Sequence, residues 1–403
     1  MIPLNREGPL DVLDGAAAPA LVGRLAHSVT GPSQRDGTTM RVGILGAGQL
    51  GQMLALAGIP LGMRFDFFSP TPSASAAAVG NVIIGEYDDI AALREFARNV
   101  DVVTYEFENV SSDAVAEIEQ MCPVWPPRSA LVTSQDRGLE KQEFARLGIP
   151  IAPYRLIDSL ADLESAIRDV GVPGILKTRR FGYDGKGQVR ITARSDAESA
   201  WNALGPVPLI YEGLVEFERE LSVIAVRSAD GKTLCYPVAE NHHRDGILRT
   251  SFAPADRLSD AKRHQAESYA RALLTAFGYV GVFAIEMFDT ASGLVANEMA
   301  PRVHNSGHWT IEGAETSQFE NHVRAVCNFP LGECAPVGYS AMFNLIAEHP
   351  DTASVLAIPD THLHLYGKSE RSGRKLGHVT IRSRTREDLQ RHVASLRAIP
   401  RIV

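Results

Sequence analysis

The chain has 403 residues, more than one core of roughly 250–300 residues supports, so two or three packed lobes with clefts between them are expected. A formal net charge of -8 leaves no basic footprint for a nucleic-acid partner, although a small phosphorylated substrate needs only a local cationic cluster. The cysteines Cys122, Cys235, Cys327 and Cys334 form no C-x-x-C pair and read as reduced core thiols, and no apolar run approaches the roughly 18 residues that span a bilayer; a cytoplasmic location without membrane contact is expected.

Residues 1–39 lack strand or helix periodicity and read as a flexible extension, with Met40 a natural start. Arg41–Gly46 then reads as a buried strand, the segment after Gly51 as a helix and Met63–Phe68 as the next strand. Asp101–Glu106 and a helix from about Ser111 continue this alternation, which builds a parallel sheet in a first lobe over 40–133. The second lobe, 134–332, opens with a helix near Arg137–Leu147 and two strands, Gly174–Thr178 and Gly187–Ile191, around a glycine-rich loop. Strand-like pieces Ala341–Ala347, His362–Tyr366 and His378–Arg382, with a basic loop before the last, form a small third lobe over 333–403.

Gly46-Ala47-Gly48-Gln49-Leu50-Gly51 fits G-x-G-x-x-G, whose amides at a helix N-terminus can approach a phosphate. Tight strand-to-helix packing explains the same glycines equally well. A dinucleotide is disfavoured, because the acidic candidate Asp66 lies inside its strand and not at the carboxyl end where a ribose would sit. Between the strands of the second lobe, Gly182, Gly185 and Gly187 make a flap whose amides can fold over a triphosphate, with Lys177 adding fixed charge. A solvated hairpin is the blander reading. Leu209–Val215 is an apolar strand broken by Glu212-Gly213, able to offer backbone groups to an adenine edge; a solvated acidic strand end explains it as well.

Val282–Phe288 and Leu294–Met299 are apolar strands joined by a turn near Ala291-Ser292-Gly293, each with a carboxylate where apolar residues belong. If Thr290 pairs with Leu294, Glu286 faces Glu298 with Cβ atoms about 5 Å apart. Such a pair calls for protonation or a bridging cation, and oxygen-only ligands favour magnesium, with Asn297 adding an amide oxygen or orienting a phosphate. Pairing of one carboxylate with Arg302 is the alternative. Glu240–Gly246 reads either as a polar substrate wall or as a solvated turn, and Tyr366–Lys375 supplies the local basic cluster for a phosphate monoester.

Together with Tyr105–Val110, Asp245–Thr250, Asn297–Trp309 and Gly373–His378, these runs resemble the 5-(carboxyamino)imidazole ribonucleotide synthase family of purine biosynthesis from about Met40 almost to the end of the chain. The resemblance implies an α/β ATP-grasp architecture: an N-terminal Rossmann-like pre-ATP-grasp domain, a two-part ATP-grasp lobe and a small C-terminal domain, assembled as a homodimer. It also implies ATP-dependent carboxylation of 5-aminoimidazole ribonucleotide with bicarbonate through carboxyphosphate, with a separate mutase acting next. By position it places ATP on Arg137, Lys177, Gly182, Tyr183, Asp184, Gly185, Lys186, Gly187, Gln188, Glu212, Gly213, Leu214, Val215, Glu220 and His243, and beside Asn297 and Glu298. Magnesium falls on Glu286 and Glu298. The ribonucleotide falls on Gln49, Leu50, Glu106, Arg302, His304, Asn305, Lys368 and Arg374, with Arg302, Lys177 and Asn297 as catalytic groups.

Overall fold

A computed structural model describes residues 39–182 and 185–402; apart from Thr39, the expected extension lies outside them, as do Tyr183 and Asp184. Strand β1 (Arg41–Leu45) buries four consecutive residues, Val42 to Leu45, as a strand covered on both faces of a parallel sheet must. With β2 (Arg64–Ser69), β3 (Asn81–Ile84) and β4 (Val102–Tyr105) it forms a parallel sheet in the order β3-β2-β1-β4. Strand β1 has β2 on one side and β4 on the other, so connections leave its carboxyl end in opposite directions and open a crevice there. The loop Gly46–Gly48, the helix Gln49–Gly58 and Glu106 stand at that crevice. Asp66 instead accepts from Arg41 Nε at 2.9 Å and Asn81 Nδ2 at 2.8 Å, so it ties three strands together and faces no ribose.

A second, antiparallel sheet holds β5 (Tyr154–Ile157), β6 (Gly174–Thr178), β7 (Gln188–Ile191) and β8 (Leu209–Gly213) in the order β5-β8-β6-β7. Helices Leu160–Val170 and Ala197–Leu204 bury Leu163, Ile167 and Ala200 against its Leu176 and Tyr211.

The largest sheet contains β9 (Arg219–Arg227), β10 (Thr233–Cys235), β11 (Ala239–Arg244), β12 (Ile247–Ala253), β13 (Gly281–Thr290), β14 (Gly293–Ala300), β15 (Tyr339–Ile346), β16 (Thr361–Leu365) and β17 (Lys375–Ser383). Its order is β14-β13-β9-β11-β12-β15-β17-β16, with β10 added to β9. The strands expected of a third lobe therefore continue this sheet, from Thr250↔Phe343 to Ala253↔Ser340, while keeping a core of their own around Phe343, Val379, Ile381 and Leu396.

One histidine joins the parallel sheet to the large one. His322, fully buried on the helix Gln318–Val326, accepts Val282 N–H at Nδ1 (3.0 Å), so its proton sits on Nε2 and is donated to Thr104 Oγ1 at 2.8 Å. Burial pushes its pKa down to about 3. The four cysteines are free, Cys327 and Cys334 buried and Cys122 and Cys235 half-buried. Among the described residues no helix is long and apolar enough to cross a membrane.

Candidate active site

A cleft of about 900 Å³ runs between the carboxyl ends of β1 and β4, the β6–β7 loop and the β13–β14 hairpin. Glu286 and Glu298 face each other across that hairpin and both line the cleft. The route to this register differs from the expectation. Thr290 pairs with Gly293, not Leu294, which alone would shift the two glutamates out of register; a β-bulge between Glu286 and Met287, with Asn297 as the extra residue, restores the pairing. Asn297 also lines the cleft.

Burial, and then the charge of Glu298, push Glu286 up to about 7. Burial opposes the charge of Glu298 too, yet Arg137 and Lys177 outweigh it and hold that carboxyl below the usual range. Arg137 Nη1 lies 3.3 Å from Glu298, whereas Arg302 pairs with Glu108 at 2.6 Å, so the arginine beside the acidic pair is Arg137. The donors fit a hard divalent cation. No group of three His, Cys, Asp or Glu side chains able to hold a metal occurs among the described residues. Magnesium needs only one or two carboxylates when phosphates and water complete its shell.

Lys177, at the end of β6, reaches Glu212 at 3.1 Å, and burial lowers its pKa despite that partner. The flap residues Gly182, Gly185, Lys186 and Gln188 line the cleft with it. Gly187 needs its glycine: φ is +68°, and a Cβ would lie 2.7 Å from Thr178 Oγ1. Opposite the flap, Asp245 (φ 55°) and Gly246 (φ 72°) form the two-residue turn between β11 and β12, beside Gly185. His243, before this turn, is ion-paired with Glu220, and both line the cleft. The polar Glu240–Gly246 segment is thus the end of an interior strand and its hairpin turn, and it reaches the cleft through His243 and Gly246.

Glu212, Gly213, Leu214 and Val215 do not line the cleft. Glu212 is buried under Lys177 and Lys141, and the amides of Gly213 and Leu214 donate to Pro153 O and Pro173 O. The glycine loop holds a second surprise. Glu106 accepts from the amides of Gly48 and, at 2.7 Å, Gly51, and a Cβ at Gly46 would lie 2.4 Å from Glu106 Cγ. The amides expected to cradle a phosphate therefore hold a carboxylate, because β4 ends beside β1 and the helix N-terminus attracts the acid that follows it.

Gln49, Leu50, Glu106, Arg302, His304 and Asn305 all line the cleft. His304 stands 3.8 Å from Glu286; burial, then Arg302, push its pKa well down. Asn305 and Asn344 exchange amide hydrogen bonds of 3.0 and 2.8 Å. Lys368 hydrogen-bonds Gln49, which brings the basic loop to the first glycine motif. Arg374 instead bonds Ser369 Oγ at 2.9 Å within its own loop and does not line the cleft, while the next residue, Lys375, does. Sequence reasoning passed over Glu140, and it held Glu108 and Lys375 only inside longer motifs without assigning them to the site. Glu108 was in view, two residues beyond Glu106, and Glu140 lies one helical turn after Arg137.

Three segments match known families: residues 39–135 the ribonucleotide synthetase preATP-grasp domain, 142–319 the ATP-grasp domain, and 340–392 the phosphoribosylaminoimidazole carboxylase C-terminal domain. The chain is 49% identical over 360 residues to an N5-carboxyaminoimidazole ribonucleotide synthase of Pseudomonas aeruginosa, covering 89% of this chain and 99% of that one. The crystal structure of N5-carboxyaminoimidazole ribonucleotide synthetase from Thermus thermophilus superposes with a TM-score of 0.85 at 51% identity, over 88% of this chain and 97% of that one. That of an N5-carboxyaminoimidazole synthase from Aspergillus clavatus, in complex with ADP and 5-aminoimidazole ribonucleotide, gives a TM-score of 0.83 at 33% identity, over 88% and 96%.

Proposed function

The chain belongs to the N5-carboxyaminoimidazole ribonucleotide synthase family, and on that premise we propose how its cleft carboxylates 5-aminoimidazole ribonucleotide with ATP and bicarbonate. The products are 5-(carboxyamino)imidazole ribonucleotide, ADP and phosphate, within de novo purine synthesis. The observation that carries the reading is the acidic pair Glu286 and Glu298 in one cleft with Lys177, the flap and Arg302.

ATP lies under the flap at Gly182, Gly185, Lys186 and Gln188, its phosphates facing Lys177 and Arg137 and its nucleoside end toward Glu220 and His243. Glu212 acts indirectly, by holding Lys177 from below. Magnesium on Glu286 and Glu298, with Asn297 beside it, would offset the charge of the polyphosphate. Bicarbonate oxygen attacks the terminal phosphorus, the bond from that phosphorus to the bridging oxygen breaks, and ADP leaves as carboxyphosphate forms. Arg302, held by Glu108, steadies the charge on that species in a closed site. Its breakdown releases phosphate and delivers carbon dioxide to the exocyclic amine, whose proton passes to that phosphate as the carbon-nitrogen bond forms.

The ribonucleotide occupies the crevice by Gln49, Leu50 and Glu106, with His304 and Asn305 beside the reacting groups and Lys368 and Lys375 toward its phosphate. Glu106, already engaged by two amides, presents a fixed acceptor suited to a ribose hydroxyl. A cytoplasmic homodimer, with a separate mutase using the product, completes the proposal.

ADP release is the test, measured with magnesium-ATP, bicarbonate and 5-aminoimidazole ribonucleotide and with each omitted in turn. Turnover is expected to require all of them. Turnover indifferent to the ribonucleotide, or supported only by formate, would reject the assignment.

A further inference from the structure

Strand β14 is the last in its sheet, so the backbone groups on its outer side have no neighbouring strand. Those around Glu298 are satisfied nevertheless. Ala296 N donates to Pro150 O at 2.7 Å, and the next two contacts come from the helix Arg137–Arg146. Lys141 Nζ donates to Asn297 O at 2.7 Å, and Glu140 Oε1 accepts Met299 N–H at 2.7 Å. Residues 297 and 299 flank Glu298, whose side chain meets Arg137 from the same helix.

Arg137, Glu140 and Lys141 stand at i, i+3 and i+4 and so share one helical face. Glu140 is 2% exposed and Lys141 1% exposed. Burying two ionisable side chains is unfavourable unless each finds strong partners; Lys141 has Glu212 at 3.5 Å, and beyond that pair the two side chains direct their remaining polar atoms to the two peptide groups around one carboxylate. The location adds significance. Asn297 is the bulge residue, and a bulge leaves the direction of the next side chain free to drift unless something pins the backbone on both sides.

We propose that Glu140 and Lys141 are positioning residues that fix the direction of the Glu298 carboxylate, and through it the geometry of the Glu286–Glu298 pair. The inference rests on the nucleotide and metal reading above. It assigns the two side chains a task beyond covering a strand edge: without them Glu298 stays in place along the chain but swings relative to Glu286.

Manganese binding read by electron paramagnetic resonance, with ADP present, tests this without turnover. Glu140→Ala is expected to weaken manganese binding about tenfold, whereas Glu140→Gln, which keeps an oxygen able to accept Met299 N–H, restores it to within about threefold. ADP binding without metal should change less than twofold. Should Glu140→Ala fail to fold, Lys141→Met, which keeps most of the aliphatic stem and loses the donor, decides by the same reading. Wild-type manganese affinity in the variant, with only its melting temperature lowered, would overturn the proposal. Glu298→Gln is the control: if it too binds manganese normally, the metal reading fails and not the positioning.

Discussion

At the scale of single residues, the site turns on two carboxylates that cannot both be charged cheaply. Glu286 is pushed up to about 7 by burial and by Glu298, while Arg137 and Lys177 keep Glu298 ionised. Glu298→Gln is expected to lower turnover by roughly 100-fold or more, since it removes one of the two carboxylates proposed to hold magnesium against the polyphosphate. Stability should stay within about 1 kcal/mol, because the lost contact to Arg137 is offset by relief of Glu286. Steady-state ADP release and thermal unfolding, measured together, check both halves. The pair was legible in the sequence because charge inside apolar strands stands out. Their facing was legible as well, but not the route to it: the turn pairs Thr290 with Gly293, and the bulge at Asn297 that compensates leaves no mark in local composition. Nor could the occupant of the glycine loop be read, since Glu106 lies 55 positions from Gly51 and only the neighbouring of β1 and β4 brings it there.

At the scale of elements, His322 is a coupling between the parallel sheet and the central strands, and it works only as a neutral ring. Nδ1 must keep its lone pair for Val282 N–H. Its folded pKa of about 3 lies below the ordinary 6.5, so the unfolded chain takes up a proton first as pH falls. This contribution is full above pH 6.5 and is lost as pH drops toward 3, at about 1.4 kcal/mol per unit. Between pH 7.5 and 5.5, wild type is therefore expected to lose about 1.4 kcal/mol more stability than His322→Gln, whose side chain does not titrate. Urea unfolding at the two pH values measures the difference, and equal losses would contradict the coupling. The strands and helices themselves followed from periodicity, as with Gly174–Thr178, but a contact among Thr104, Val282 and His322 depends on three distant segments meeting.

At the scale of the whole molecule, the second and third expected lobes share one sheet. The family matches end at residue 319 and resume at 340, yet β12 and β15 are hydrogen-bonded neighbours. Removing everything after residue 333 would strip β12 of its β15 partner and leave an open strand edge in mid-sheet, a template for association. Such a chain is expected to aggregate and to show no nucleotide-dependent turnover, as size-exclusion chromatography and ADP release would report. A monodisperse fragment that melts cooperatively would argue for independent units.

The contact between Lys368 and Gln49 spans 319 positions of sequence, and with Lys375 it brings a late segment of the chain to the crevice that an early one builds. Folding on a ribosome proceeds from the first residues emerging. A nascent chain therefore acquires the glycine crevice early and its cationic wall among the last parts to be translated. The cationic wall contributed by Lys368 and Lys375 thus exists only once synthesis has passed residue 375, long after the crevice it faces has been made.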